Sequence, residues 1–354
     1  MPRIAFFVEI IKGKVTGPTN SVTTLSRELR LLGIDTKVYS IFPDCGVDEV
    51  CGEPIFSIDD FYKDSIKFDL CVFEGAYKTN MWRLALHCKL KKIKYIISPR
   101  SNLMKLSFKK SPIQKILSLI VVVPYFRNSR GIHFLSKDEY INSYSFGVRH
   151  YLASNGIDSD NTNKPENEFK QKYNKNNVVF IGRYDIYHKG LDILINFVSK
   201  NKTILRNNKF TFELYGPNFR GGKENIQRDI SRNGIRDLIT VNDAVFGVAK
   251  LKILYKSKYF IHTSRYEGQP QAVLEAINAG CIPIVSSGCN LSEVLSLLGY
   301  GVEFSPDMSG DEFLISCDES LPSNSKLEEF RSRYSWKSST RQFYRVINEV
   351  LKNG

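Results

Sequence analysis

Short apolar runs alternate with helix-like stretches along nearly the whole chain. Arg3 to Ile10 is the first apolar run. Ser21 to Leu32 then reads as a helix, closed by Gly33 in the C-cap position. Asp69–Phe73, Tyr95–Ser98, Ile132–Leu135 and Tyr151–Ala153 predict further short strands. Runs that are apolar on both faces and separated by helices indicate parallel sheets built from βαβ units. A polar stretch from Asn155 through Glu168 interrupts the alternation and reads as a linker. The pattern then restarts with a strand at Val178–Ile181, a helix at Leu191–Phe197 and strands at Phe210–Tyr215, Tyr259–His262 and Ile282–Val285. It ends in an amphipathic helix from Tyr334 to Leu351. The simplest account is an α/β fold of two doubly wound, Rossmann-like domains, residues 1–160 and 170–335. Ligands of such sheets bind at the carboxyl ends of the strands, and two domains facing each other make that crevice a cleft.

Composition adds bounds. The 354 residues are 42% hydrophobic and 25% charged, ordinary for a soluble globular protein. The start runs straight into a strand-like segment without a long apolar stretch or cleavage site, so no signal peptide is expected, and no run is long enough to span a bilayer. The seven cysteines include no C-x-x-C and sit largely in apolar runs, which reads as reduced core residues in a cytosolic protein, without a metal cage. Charge is distributed unevenly. The net charge is +13, and from Gly75 to Lys137 there are fourteen Lys and Arg residues and no Asp or Glu. Such a block implies an anionic partner surface, phospholipid or nucleic acid.

The strongest chemical signal is the run Arg265-Tyr266-Glu267-Gly268-Gln269-Pro270-Gln271-Ala272-Val273-Leu274-Glu275-Ala276. It follows a strand and opens a helix near Pro270. N–H groups of the first turn, at about Gln271 and Ala272, point toward the ligand side at the positive end of the helix dipole. Gly268 permits close backbone approach. Glu267 in the loop and Glu275 over a turn into the helix can accept hydrogen bonds from two sets of hydroxyls on one ligand. Ala279-Gly280 then stops the helix before a buried strand. A second signal is Gly182-Arg183-Tyr184-Asp185-Ile186-Tyr187-His188-Lys189-Gly190, where Arg183 and Lys189 flank a loop at a strand's carboxyl end. Two cations there suit a diphosphate. Gly17 marks a strand-to-helix turn that admits a phosphate or sugar, or is an ordinary turn.

Together these motifs resemble glycosyltransferase family 4, the retaining family of the two-domain GT-B fold. The residues that carry the resemblance are Gly182-Arg183 with Lys189-Gly190 and Asp192, Leu214-Tyr215-Gly216, and Glu267-Gly268 with Glu275-Ala276 and Gly280. His133-Phe134-Leu135-Ser136 with Glu139, Asn155-Gly156-Ile157-Asp158 and Tyr334-Ser335-Trp336 extend it over almost the full chain. The resemblance implies roles. Arg183 and Lys189 bind the donor diphosphate, Glu275 the ribose, and Glu267 the donor-sugar hydroxyls near the anomeric carbon. Gly216 and the backbone of Gly268, Gln269, Pro270, Gln271 and Ala272 line the donor site, and Gly17 lines the first domain's side. The C-terminal helix, residues 336–354, crosses back to complete the first domain. Three departures stand out: Gly268-Gln269-Pro270 where Gly-Phe-Gly is usual, Pro99-Arg100-Ser101 where Pro-Arg-Gly or Pro-His-Gly is usual, and Gly17-Pro18 for a glycine pair. Arg100 and His133 are candidates on the acceptor side, although His133 in an apolar strand also reads as a satisfied core histidine.

Asp158-Ser159-Asp160 matches the D-x-D of another glycosyltransferase fold, but in a polar linker it reads as chance, and no metal or other cofactor is expected. Nucleic-acid motifs are absent from the sequence. The basic block around the apolar run Ile113–Phe126 therefore reads as a surface for anionic lipid. The expected function is transfer of a sugar from a nucleoside diphosphate sugar to a glycan hydroxyl. A lipid-linked oligosaccharide of a bacterial surface polysaccharide (O-antigen, lipopolysaccharide or capsule) fits as acceptor, with the enzyme peripheral on the cytoplasmic face of the membrane. The competing readings are a nucleotide-sugar epimerase or hydrolase on a similar fold, and a non-catalytic basic membrane-binding protein.

Overall fold

The computed structural model describes residues 1–12, 17–63, 68–108, 112–158 and 175–352; of residues 108 and 112–119 it describes the backbone alone. The chain divides into two compact units, Met1–Gly156 with Tyr334–Gly354, and Ile157–Arg333.

The first unit is built on β1 (Arg3–Val8), β2 (Asp35–Ser40), β3 (Glu49–Val50), β4 (Glu53–Phe56), β5 (Leu70–Glu74), β6 (Lys94–Ser98), β7 (Ile132–Phe134) and β8 (His150–Leu152). Their order is β3-β4-β2-β1-β5-β6-β7-β8, parallel except for the β3–β4 pair. Alternation along β1 separates the two faces. Ile4, Phe6 and Val8 pack with Val22, Leu25 and Leu29 of the helix Gly17–Leu31 and with Phe343, Val346, Ile347 and Val350 of the final helix Trp336–Lys352. Ala5 and Phe7 share the opposite core with Met81, Leu84, Val122 and Phe126, from the helices Thr79–Leu90 and Pro112–Arg127. The last of these is not buried all round: Val122, Tyr125 and Phe126 are buried, whereas Ile120 is 82% exposed and Val121 is also exposed.

The second unit has β9 (Asn177–Ile181), β10 (Thr211–Tyr215), β11 (Ile239–Asn242), β12 (Tyr259–His262), β13 (Ile282–Ser286) and β14 (Val302–Phe304). All are parallel, in the order β11-β10-β9-β12-β13-β14. The chain winds outward from β9 to β11, then crosses to β12 and winds the other way. The switch point between β9 and β12 is where the crevice of such a sheet opens.

Several expected bounds move. The first helix begins at Gly17, four residues before the expected Ser21, with Pro18 tolerated in its opening turn. The loop that Arg183 and Lys189 flank contains a one-turn helix, Ile186–Lys189, because the Asp185 side chain accepts from the His188 N–H and Gly190 then turns left-handed. β2, β3, β4, β11 and β14 have no counterpart among the expected strands. They are short or carry charged residues, so they lack a run apolar on both faces. Of the D-x-D, Asp160 lies outside the described residues.

Candidate donor site in the second unit

Four loops meet at the carboxyl ends of the second unit's strands. They follow β9 (Gly182–Asp185), β10 (Gly216 onward), β12 (Thr263–Pro270) and β13 (Ser287–Leu291). Their packing requires bare backbone. A Cβ on Gly216 would stand 1.9 Å from the Gly182 carbonyl oxygen, and one on Gly190 would stand 2.0 Å from that of Thr263. Gly190 also has φ +61°, which disfavours any side chain. Thr263 Oγ1 donates to the carbonyls of Lys189 and Gly190, closing this contact.

Glu267 is the hub. Its Oε1 accepts from Lys189 Nζ at 2.6 Å, Ser264 Oγ at 2.9 Å and His262 Nε2 at 3.3 Å, with His188 Nε2 at 3.7 Å. Among the described residues these contacts all fall on Oε1. The backbone is clamped too: the Glu267 N–H donates to the Gly288 carbonyl at 2.8 Å, and Asn290 Nδ2 donates to the Glu267 carbonyl. Burial acts to raise the Glu267 carboxyl, but Lys189, His188 and His262 outweigh it and hold the group well below its ordinary range. It is therefore an ionised carboxylate.

Arg183 lies on the other side of His188. Its guanidinium donates through Nη2 to His188 Nδ1 at 3.0 Å, stands 3.5 Å from Asp185 Oδ2 and rests over the Phe219 ring, 4.9 Å from its centroid. Arg183 and Lys189 thus share one neighbourhood through His188 and Glu267. Arg265 makes a two-pronged pair with Asp192, at 2.7 and 2.6 Å, which ties the β12 loop to the helix Leu191–Lys200.

The helix Gln271–Asn278 opens at Pro270, in the N-cap position. Gly268, Gln269, Pro270, Gln271 and Ala272 form its approach and first turn, where the dipole favours an anion. Glu275 sits farther along, partly exposed, and pairs with Lys250 from the helix Gly247–Lys256. Lys250, His188, His262 and Ser264 received no role from sequence. Lys250 and His188 are distant in sequence from the glutamates they serve, and His262 reads as part of a strand.

The remaining candidates lie in the first unit, each described by itself. Gly17 begins its helix, and a Cβ there would meet nothing within 4 Å among the described residues. Arg100 has a left-handed backbone, φ +50°, and its side chain is anchored to Glu74 and to Asn155 Oδ1. The following residue, Ser101, donates its N–H to Glu139 Oε1 at 2.7 Å, and Leu135 donates to the other oxygen at 2.8 Å. Burial pushes the Glu139 carboxyl up to about 7. His133 is buried with both ring nitrogens engaged, by Ser98 Oγ and the Ala153 carbonyl. Burial, with Arg100 nearby, takes it down to about 3, so it is neutral. No group of three His, Cys, Asp or Glu suited to a metal occurs among the described residues.

Residues 175–307, most of the second unit, match the family described as "Glycosyl transferases group 1". No curated protein matches the sequence. Similar solved structures include sucrose-phosphate synthase from Thermosynechococcus elongatus, with TM-score 0.77, 13% identity and 100% of both chains covered. Anabaena Alr3699/HepE in complex with UDP and glucose gives TM-score 0.73 and 15% identity over 99% of this chain and 100% of that one. A glycosyltransferase from Rickettsia africae gives TM-score 0.72 and 15% identity over 100% and 99%. The chain has the GT-B fold, and its resemblance to the group 1 glycosyltransferases is carried by the unit that holds Arg183, Lys189, Glu267 and Glu275.

Proposed function

We propose that the chain is a retaining glycosyltransferase of the family 4 kind, which moves a sugar from a nucleoside diphosphate sugar to a glycan hydroxyl. The observation that carries this reading is the Glu267 hub at the β9–β12 switch point: an ionised carboxylate flanked by Lys189 and, beyond His188, by Arg183. Two cations beside a helix N-terminus match a diphosphate, and a carboxylate beside them matches sugar hydroxyls. In the reaction, Arg183, Lys189 and the first-turn amides of Gln271–Asn278 take up the charge that develops on the departing diphosphate. Glu275 holds the ribose, steadied by Lys250. Glu267 orients the sugar, so that binding supplies the alignment for attack. UDP is the first nucleotide to try, because solved structures of similar fold contain it.

The acceptor side is assigned to the first unit, with Gly17 and Arg100 as candidates. A lipid-linked acceptor at the cytoplasmic face of a bacterial membrane, in surface-polysaccharide synthesis, fits the exposed Ile120 and Val121 and the exposed Lys105, Arg127, Arg130 and Lys137. No helix among the described residues is long and apolar enough to cross a membrane, so contact would be peripheral.

The test is a panel of nucleotide sugars read by the shift in melting temperature, followed by turnover with and without glycan acceptors. One donor should stabilise the protein, and its consumption should require an acceptor. Consumption without one would make the chain a hydrolase or epimerase. Turnover should persist in excess EDTA; loss restored by Mn²⁺ or Mg²⁺ would return Asp158 and Asp160 to the site.

A further inference from the structure

His188 is 8% exposed, in the one-turn helix that also carries Lys189. Its ring lies on Tyr266 with centroids 4.4 Å apart and planes 21° from parallel. The two nitrogens have different partners. Nδ1 faces Arg183 Nη2 at 3.0 Å, and Nε2 faces the Tyr266 carbonyl at 2.8 Å. A guanidinium only donates and a carbonyl only accepts, so the tautomer is fixed: Nδ1 carries the lone pair and Nε2 the hydrogen. The charged groups around the ring are Arg183, Asp185 and Lys189 from its own segment and Glu267 from the β12 loop. Burial outweighs the two carboxylates and pulls the ring down to about 4, which keeps the Nδ1 lone pair available at neutral pH.

The geometry assigns His188 as the positioning residue of Arg183: by accepting from Nη2, it turns the rest of the guanidinium fork toward the donor diphosphate. Tyr266 supports the acceptor from behind by stacking and by receiving the Nε2 hydrogen. Phe219 backs the guanidinium face, and the hydrogen bond to His188 and the ion pair with Asp185 both fall on Nη2, which leaves Nε and Nη1 for phosphate oxygens. Arg183 has a half-exposed side chain. Without His188 the guanidinium would keep only the longer Asp185 contact at 3.5 Å and the Phe219 ring, and the ligand would have to do more of the ordering. The inference rests on the reading of Arg183 as a phosphate ligand.

The test uses nucleoside diphosphate affinity by calorimetry. The intact protein is titrated with UDP, GDP, ADP and dTDP, and the one that binds is used throughout. Binding of none would overturn the donor-site reading, and this inference with it. Arg183→Ala should weaken binding about tenfold or more, the scale of a charge-assisted contact; an unchanged constant would overturn the assignment of Arg183. His188→Asn places an acceptor near Nδ1, whereas His188→Gln places its amide near Nε2. Asn should stay within about threefold of wild type and Gln should lose about as much as Arg183→Ala. A packing role would cost both variants alike, and that result would overturn the inference while leaving Arg183 in place. The double variant Arg183→Ala/His188→Gln should bind no more weakly than Arg183→Ala alone, because the histidine acts through the arginine. Additive losses would sink it.

Discussion

On the proposed reading Glu267 and Glu275 hold different parts of one donor, and that difference should appear in kinetics. Glu275 as the proposed ribose ligand would meet a part of the donor that does not react, so Glu275→Ala should raise KM and leave kcat nearly intact. Glu267 as the proposed ligand of the donor sugar would lie beside the reacting carbon, and Glu267→Ala should mainly lower kcat. Steady-state rates decide it; the same pattern in both variants would refute the division of roles. The site also sets an acid limit. His188 is held at about 4 against an ordinary 6.5, and His262 is lowered by burial. An unfolded chain takes up these protons first as pH falls, so the stability of the second unit should decline below about pH 6.5. Glu267, depressed from 4.5, holds its charge in the fold while the unfolded group protonates, and so carries the decline further below that pH. Urea unfolding from pH 8 to 4 should show a slope of this sign, and His188→Asn should flatten its upper part. The two glutamates and two cations were legible because motif spacing is local. The network joining them was not: Lys189 and His188 contact Glu267 and Tyr266 across 78 positions, and periodicity cannot show such a contact.

Loops and turns hold these residues where a single atom matters. Gly190 ends one short helix and begins the next, with φ +61° and the Thr263 carbonyl against its Cα. Alanine there adds left-handed strain of about 1–2 kcal/mol to an overlap that backbone cannot easily relieve. Gly190→Ala should therefore lower the melting temperature and weaken nucleotide binding together, because the same turn sets Lys189. Ser309→Ala is the control: it breaks the capping box of the helix Gly310–Glu319 and should cost about 1 kcal/mol without touching donor affinity. A Gly190→Ala protein with normal stability would contradict the close approach. At this scale, the sequence announced elements by their apolar content. β9, β12 and β13 are apolar runs and stand out within a residue or so of their ends. β2, Asp35-Thr36-Lys37-Val38-Tyr39-Ser40, and β11, Ile239-Thr240-Val241-Asn242, owe their strand state to parallel neighbours β1 and β10. Tertiary pairing overrides a weak local pattern in such strands.

Charge belongs to the whole molecule, and the acid-free block from Gly75 to Lys137 is where it concentrates. Within it, Lys105, Arg127, Arg130 and Lys137 are exposed, and so are Leu106, Ile120 and Val121. The helix Pro112–Arg127 is therefore neither a wholly buried element nor a wholly polar one: Val122, Tyr125 and Phe126 anchor it while Ile120 stands in solvent. Lys109 and Lys110 lie outside the described residues, as does the side chain of Lys115. Each cation near an anionic bilayer contributes about 1 kcal/mol, so a few give reversible attachment. Screening limits the range to about 8 Å at physiological ionic strength, and the attraction should weaken as salt rises. Co-sedimentation with vesicles of phosphatidylglycerol and phosphatidylcholine should therefore exceed that with phosphatidylcholine alone and should fall in high salt. Replacing Lys105, Arg127, Arg130 and Lys137 together by Gln should reduce binding and leave nucleotide affinity unchanged, because these residues belong to the first unit. Ile120→Ser should lower the part that survives high salt, since apolar contact is not screened. Equal sedimentation with neutral and anionic vesicles would remove the electrostatic half of the proposal. An unaltered high-salt residue in Ile120→Ser would remove the apolar half, and the exposed isoleucine would then be an ordinary surface side chain.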